Sequence, residues 1–547
     1  MKQHFNLTSQ PIPASRSYER GKFGRLFPWL SPCMVDSPRS RSDIFQIART
    51  MYQGTNADNN MPAGYTYLGQ FIIHDISFDP TSIGERSIDP EYLWNFRTPA
   101  LDLDSVYGSG PNINPFLYKN TLTANSTQFY LPAPDKNGDQ DPSYQNLPRL
   151  GKTAVIADPR NDENIIISQL HATFLTFHNR IVERLKKEND YTGNEAMLFR
   201  KAQQIVKWSY QWVVLYDYLP RIIDITNWYD LDTYKASALK GLDEVQMRKK
   251  RLQLIRDLAS EKISKKYFDW RNEPFVPLEF SAAAFRFGHS QVRGIYVFNQ
   301  DPSYIAMGES EQLQSLFASK PYSPFRVDMR LFFSDNTDAI NFNHGIDTKI
   351  AMALRNIPSQ LGIDNPNREN FLQLIKGLKG INNQLSRKLT EDEKEKTIDA
   401  LLSLWLNDLQ TEDVKKFILD TSLKVNEKNI AELNLTRGML LGLPSGQDVA
   451  RAMGIPPLKV TTANFPSHLQ NNTPLWYYIL YEAQENSQSK RLGPVGSQIV
   501  CEVIVGLIKA DKSSFLNQDP KWVPKDKNGL EKRSFSMIDI IQIAEEG

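Results

Sequence analysis

Residues 165–187 read IIISQLHATFLTFHNRIVERLKK, with Ile166, Leu170, Phe174, Phe177, Ile181 and Leu185 recurring every three to four positions. That is the α-helical period, and a helix of this length is about 35 Å long. Its apolar face must be covered by other elements. The same reasoning marks 196–218, 244–264, 367–378, 391–406, 411–419 and 494–508 as helical candidates. Strand patterns are few and short, so the spacing predicts a mainly α fold. Segments 50–64, 108–150 and 510–536 are rich in Gly, Pro, Asn and Asp and read as loops. Pro11, Pro13, Pro28 and Pro32 make the start an extended arm wrapped on the body. The lysine-rich stretch 377–396 reads as a solvated face or surface insertion with a helix start at Thr390. There is no internal repeat and no strong linker. One large domain is therefore expected over 1–547, with an arm (1–59), a core (60–510) and an extension (511–547).

Charge and cysteine usage exclude several functions. Lys plus Arg is 64 and Asp plus Glu is 63, which argues against a general nucleic-acid binder. The two cysteines, Cys33 and Cys501, rule out a disulfide-stapled scaffold, leaving at most one long-range bridge. With no CxxC, thiolate zinc and iron–sulfur sites are excluded. No run of about 18 apolar residues predicts a transmembrane helix. The first 30 residues lack a continuous apolar core, so no standard secretory signal is expected. The seven histidines become the informative residues.

Five short segments carry candidate chemistry. In GYTYLGQFIIHDISF (64–78), Gln70 and His74 share a helix face, and Asp75 is a carboxylate in apolar company that needs a partner. In RTPALDLDSVYG (97–108), Thr98, Asp102 and Asp104, with the Ala100 carbonyl, could join Asp75 in an all-oxygen site suited to calcium. The spacing is not that of an EF-hand, and an acidic loop without metal satisfies it too. In IADPRNDEN (156–164), Arg160 and Glu163 stand at the entry to the long helix, with Asp158 as a cap. They read either as capping plus an ion pair or as a cation and a carboxylate presented to a ligand. In SAAAFRFGHS (281–290), His289 is either a packed histidine or a ligand for a flat cofactor such as haem. In IAELNLTRGMLLGLPSG (430–446), Asn434 could support a ligand histidine and Arg437 could pair with a propionate; capping and a surface charge explain the pair equally well.

Together these segments resemble the animal-type haem peroxidases, the superfamily of myeloperoxidase, peroxidasin and cyclooxygenase. GQFIIHD (69–75), RTPALDLDSVYGS (97–109), ADPRNDEN (157–164), FHNRIVERL (177–185), AFRFGH (284–289) and LNLTRG (433–438) occur in the family's order. The resemblance covers roughly 60–510 and points to a bacterial-type member. It implies a large, mainly α fold with haem b buried between central helices. His74 matches the distal histidine, Gln70 the pocket glutamine and Arg160 the distal arginine. His289 matches the iron ligand, Asn434 its hydrogen-bond acceptor, and Arg437 a propionate-binding arginine. Arg286 matches an arginine three before the ligand. Asp75, Thr98, Ala100, Asp102 and Asp104 match the calcium loop. The implied activity is reduction of hydrogen peroxide, with oxidation of small donors such as phenols, iodide or thiocyanate through a ferryl state.

The departures from the family pattern are specific. Mammalian members attach haem through an aspartate where this chain has Ile73, and through a methionine where it has Asn164. Glu163 alone matches an ester-forming residue, so at most one covalent link is expected. Fewer links imply a lower reduction potential and make chloride oxidation unfavourable. The mammalian disulfides are absent as well, which suggests a cytoplasmic relative or one exported by a leaderless route. Two other readings stay open. A fatty-acid dioxygenase of the superfamily would need a tyrosine three before the proximal histidine, where Arg286 stands after Phe285. A haem-free scaffold would not need His74, Arg160 and His289 together.

Overall fold

The structure, a computed structural model, describes residues 21–53, 57–79, 93–119, 127–132, 147–150, 153–187, 195–269, 273–293, 295–298, 313–315, 327–334, 341–351, 354 and 429–545. Its longer helices are α1 (Pro38–Met51), α2 (Gly64–Ile76), α3 (Ile165–Lys187), α4 (Glu195–Val213), α5 (Glu244–Ala259), α6 (Ile430–Leu440), α7 (Leu475–Ser487), α8 (Pro494–Ala510) and α9 (Met537–Glu545). The described strands form three two-stranded antiparallel ladders.

Helix α3 has the bounds its period predicts, and all six of its periodic apolar residues are buried. Arg184, Lys186 and Lys187 sit in its last turn, where the helix dipole favours cations. Helices α2, α4 and α9 pack around it. Phe71 of α2 stacks on Phe174 of α3 with ring centres 4.9 Å apart. Tyr210 of α4 meets both rings edge-on, at 6.1 and 5.7 Å. Each such aromatic pair contributes about 0.5–1.5 kcal/mol beyond its buried area. This cluster holds α2, which carries Gln70, His74 and Asp75, against the longest helix.

Several expectations need adjustment. The helix expected at 196–218 runs as α4 to Val213, then widens into a π-turn over Val214–Tyr218. The π-turn places the Tyr218 hydroxyl where a side chain on Gly69 would begin: a Cβ there would lie 2.6 Å from it. Only glycine allows that approach beside Gln70. Helix α5 stops at Ala259, before the expected 264, because Glu261 turns left-handed at φ 61°. The loop expected at 50–64 contains strand β1 (Asp58–Pro62), which pairs with β6 (Phe342–His344). Its partner lies far along the chain, so local composition could not reveal it. Helix α7 escapes periodicity because Leu475–Tyr481 is an unbroken apolar and aromatic run, LWYYILY, all of it buried. The candidates at 367–378, 391–406 and 411–419, and Thr390, lie outside the described residues.

From Gly21 the N-terminal arm is packed as expected. Phe23, Leu26 and Phe27 are buried, and the Glu279 carboxylate accepts from the Leu26 and Phe27 amides at 3.0 Å each. Cys33 and Cys501 are both free thiols. No helix among the described residues is long and apolar enough to cross a membrane.

Candidate active site

His74 lies in the last turn of α2 and is almost wholly buried. Its Nδ1 is 2.9 Å from the Asn161 Oδ1, which can only accept, so Nδ1 carries the proton. Nε2 is left without a protein partner among the described residues. Burial, reinforced by the Arg160 charge, pushes the imidazole down to about 4, although the bond to Asn161 opposes this. The ring is therefore neutral at ordinary pH, with a basic Nε2.

Arg160 stands on the 3₁₀ turn Pro159–Asp162, capped by Asp158. Its Nε and Nη2 donate to the Asp158 carboxylate at 3.0 and 2.7 Å. Nη2 also donates to the His74 carbonyl and Nη1 to the Ser77 carbonyl, both at 2.8 Å. Arg97 binds the same Asp158 at 2.6 Å. Against the effect of burial, these two guanidiniums hold Asp158 well below the usual carboxylate range. Arg160 thus reaches His74 chiefly as a fixed positive charge, not as an open fork. The ion pair uses Asp158, not Glu163.

Glu163 instead accepts from Gln70 Nε2 at 3.1 Å, and Asn164 Nδ2 approaches Gln70 Oε1 at 3.4 Å. Burial, aided by Asp158, pushes the Glu163 carboxyl up to about 7, yet solvent reaches its side chain. His289 and Arg286 behave alike. Burial first, then mutual repulsion, lowers His289 to about 3; burial and the Arg437 charge lower Arg286 to about 9; both stay partly accessible.

On the proximal side the hydrogen bond expected from His289 to an accepting Asn434 runs the other way. Arg286 Nη1 donates to Asn434 Oδ1 at 2.9 Å, which turns the amide Nδ2 toward His289 Nδ1 at 2.7 Å. A guanidinium has no acceptor, so it claims the amide oxygen. Arg437 on α6 pairs with Asp79, just beyond α2, and so ties the proximal helix to the distal one. Asp79 and Asn161 were not singled out from sequence; an Asp in a loop and an Asn beside a capping turn carry no spacing signal.

The acidic loop closes as its pattern suggests. Asp75, Asp102 and Asp104 offer oxygens that all lie within 4.8 Å of one another. Leu103 is left-handed, at φ 58°, a strained state for a leucine, and its amide donates to Asp75 Oδ2 at 3.1 Å. Ser105 donates to Asp75 Oδ1, and Thr98 Oγ1 to Asp104 Oδ2. Asp104 Oδ1 is buried without a hydrogen-bond partner. Burial, then repulsion from Asp104 and Asp102, raises Asp75; burial raises Asp104 although Arg97 opposes it, and burial takes Asp102 to about 7. Ala100 is buried in the same loop.

Comparison with known proteins decides the lineage. The profile of the family described as animal haem peroxidase matches residues 81–365, more than half of the 547. The chain belongs to the animal haem peroxidase family. Human thyroid peroxidase is 26% identical over 218 residues, covering 37% of this chain and 20% of that protein. Drosophila melanogaster dual oxidase is 25% identical over 156 residues, 28% of this chain and 8% of that one. The matches therefore span only a small part of these curated relatives. Among solved structures, Peroxidase A from Dictyostelium discoideum superposes with a TM-score of 0.55 at 15% identity, covering 96% of this chain and 93% of that one. A fatty acid alpha-dioxygenase of Oryza sativa, solved with palmitic acid, gives 0.56 at 13% identity, covering 96% and 79%. Both share the mainly helical fold.

Membership in the animal haem peroxidase family implies haem, and the residues present fit it. His289 Nε2 has no protein partner among the described residues and faces accessible space. Arg286 and Arg437 repel one another in a partly buried setting where Asp79 pairs with Arg437, which leaves Arg286 charge to meet a porphyrin carboxylate. One adjustment is needed. A neutral imidazole that ligates through Nε2 carries its proton on Nδ1, so the Asn434 amide must turn over to accept it and Arg286 must release the amide oxygen.

Proposed function

We propose that this chain is a haem-dependent peroxidase that reduces hydrogen peroxide and oxidises small electron donors such as phenols, iodide or thiocyanate. The observation that carries this reading is His74: a buried, neutral imidazole whose Nδ1 is engaged and whose Nε2 is left basic. Overall, one hydrogen peroxide takes two electrons and two protons and becomes two waters, while each donor gives up one or two electrons. His74 Nε2 accepts the proton from one peroxide oxygen and returns it to the departing oxygen. Arg160, held by Asp158, supplies fixed positive charge as negative charge develops there. Gln70, one turn before His74 on α2, is held by its bond to Glu163.

His289 is the residue to hold the iron, with Asn434 behind it and Arg286 and Arg437 toward the carboxylates. Haem, when bound, supplies the redox chemistry that splits peroxide and stores its oxidising power. Asp75, Thr98, Ala100, Asp102 and Asp104 form a calcium site; the crowding of three desolvated carboxylates supports it. Calcium there is structural and acts on the neighbouring His74 through α2.

His289→Ala tests the core of the proposal. It should purify without a Soret band and without peroxide turnover, whereas the unaltered protein shows both. A normal Soret band in that variant would remove the iron-ligand assignment. Oxygen uptake by the unaltered protein on unsaturated fatty acid would instead favour an oxygenase. The chain argues against that reading, because Arg286 and not a tyrosine stands three residues before His289.

A further inference from the structure

His74 is gripped twice by two consecutive residues of one turn. Arg160 holds its backbone carbonyl at 2.8 Å and Asn161 holds its ring at 2.9 Å. Asn161 is wholly buried, and its contacts continue beyond His74. Its Nδ2 lies 3.0 Å from Nδ1 of His171, a buried histidine on α3. The His171 ring packs edge-on against Phe71, one turn before His74, with centres 6.3 Å apart. The other His171 nitrogen, Nε2, is buried with no hydrogen-bond partner.

An amide has one accepting and one donating end, so the two rings cannot choose their tautomers independently. With Oδ1 toward His74, Nδ2 must donate to His171, and His171 Nδ1 must be a bare acceptor. The His171 proton then sits on Nε2, the orphaned atom. A buried donor without an acceptor is costly. Here that cost accompanies the one polarity that leaves His74 Nε2 free of hydrogen. With the amide reversed, His74 would carry its proton on Nε2, and the ring could not take one from a substrate. We infer that Asn161 is a positioning residue that holds the His74 proton on Nδ1, and that through its amide the tautomers of His74 and His171 are coupled. The inference rests on the peroxidase reading for its consequence, but not for its hydrogen positions.

Neutron diffraction from crystals of the haem-loaded protein exchanged into D₂O reads those positions directly. Deuterium is expected on His74 Nδ1 and on His171 Nε2. Deuterium on His74 Nε2 would overturn the inference. Kinetics supply the second readout. Asn161→Leu should lower kcat/KM for hydrogen peroxide by about 10–100-fold, the usual cost of losing such a partner. Haem content and the KM for the electron donor should be unchanged. Asn161→Asp accepts from both rings and should restore most of the rate. Equal losses in both variants at normal haem content would show that an acceptor facing His74 Nδ1 is not what the rate requires and would refute the tautomer role. If the unaltered protein turns over no peroxide, the functional proposal fails, while the neutron map still decides the relay.

Discussion

At the residue scale, Glu163 is the side chain whose chemistry is most exposed to test. It is bonded to Gln70 and is pushed up to about 7 by burial. Ile73 and Asn164, the other two matching positions, offer neither carboxylate nor thioether. Haem should therefore extract fully into acid–organic solvent from the protein as isolated. After peroxide treatment a fraction should become protein-bound, and Glu163→Gln should abolish that fraction while retaining peroxide turnover, because His74 and Arg160 are untouched. Peptide mass spectrometry placing haem on another residue would refute this. Single residues were unevenly readable in the sequence. Gln70, His74 and Asp75 share a helix and announce themselves by spacing. Asn161 lies between two charged residues of a capping turn, and its meaning appears only when α2 and α3 bring His74 and His171 to its two ends. The direction of the His289–Asn434 bond was likewise hidden, because Arg286 decides it from a different segment.

At the scale of elements, the acidic loop and α2 act together. Asp75 follows His74 directly, and its carboxylate receives the Leu103 amide and Ser105. A cation there relieves repulsion that otherwise falls on the helix carrying the catalytic ring. Calcium at about 100 times its dissociation constant should stabilise the fold by about 2.7 kcal/mol. Calcium competes with protons for these carboxylates, and burial holds Asp102 at about 7. The calcium-induced rise in Tm should thus be larger at pH 8 than at pH 6, with protons released on binding. Asp102→Ala should erase the rise and lower turnover with it. A calcium-independent Tm, or active protein that contains no calcium by metal analysis, would exclude the site. Elements were readable where polar residues punctuate the apolar ones: α3 has its predicted bounds because Ser168, Gln169, His171 and Asn179 break the run of Ile166 through Leu185, although they too are buried. They were not readable where an apolar run has no polar punctuation, as in Leu475–Tyr481 of α7, or where pairing is distant, as in β1 with β6.

Across the whole molecule, buried titratable groups of opposite kind set how stability follows pH. Burial lowers His74, His171 and His178 to about 4, whereas an unfolded chain protonates histidine near 6.5. Between those values the unfolded chain binds more protons, so these histidines cost stability as pH falls from about 6.5 to about 4. The upper limit is on the order of 3 kcal/mol for each. Burial raises Asp102 and Glu163 to about 7 and Glu482 to about 8. Those carboxyls act oppositely: the folded chain takes up protons first, and stability is gained as pH falls toward about 4. In calcium-free protein the two sets offset. Calcium removes Asp102 and its neighbours from the compensating set, because an ion holds them deprotonated. The calcium-loaded protein should therefore begin with the higher Tm at pH 7.5 and lose it more steeply on the way to pH 5. The chelated protein should begin lower and follow a shallower course. For a chain of this length each kcal/mol shifts Tm by about 1 °C, so the two curves should converge by several degrees. Parallel melting curves with and without a chelator across that range would show that Asp75, Asp102 and Asp104 do not titrate as a cation site, whatever their spacing.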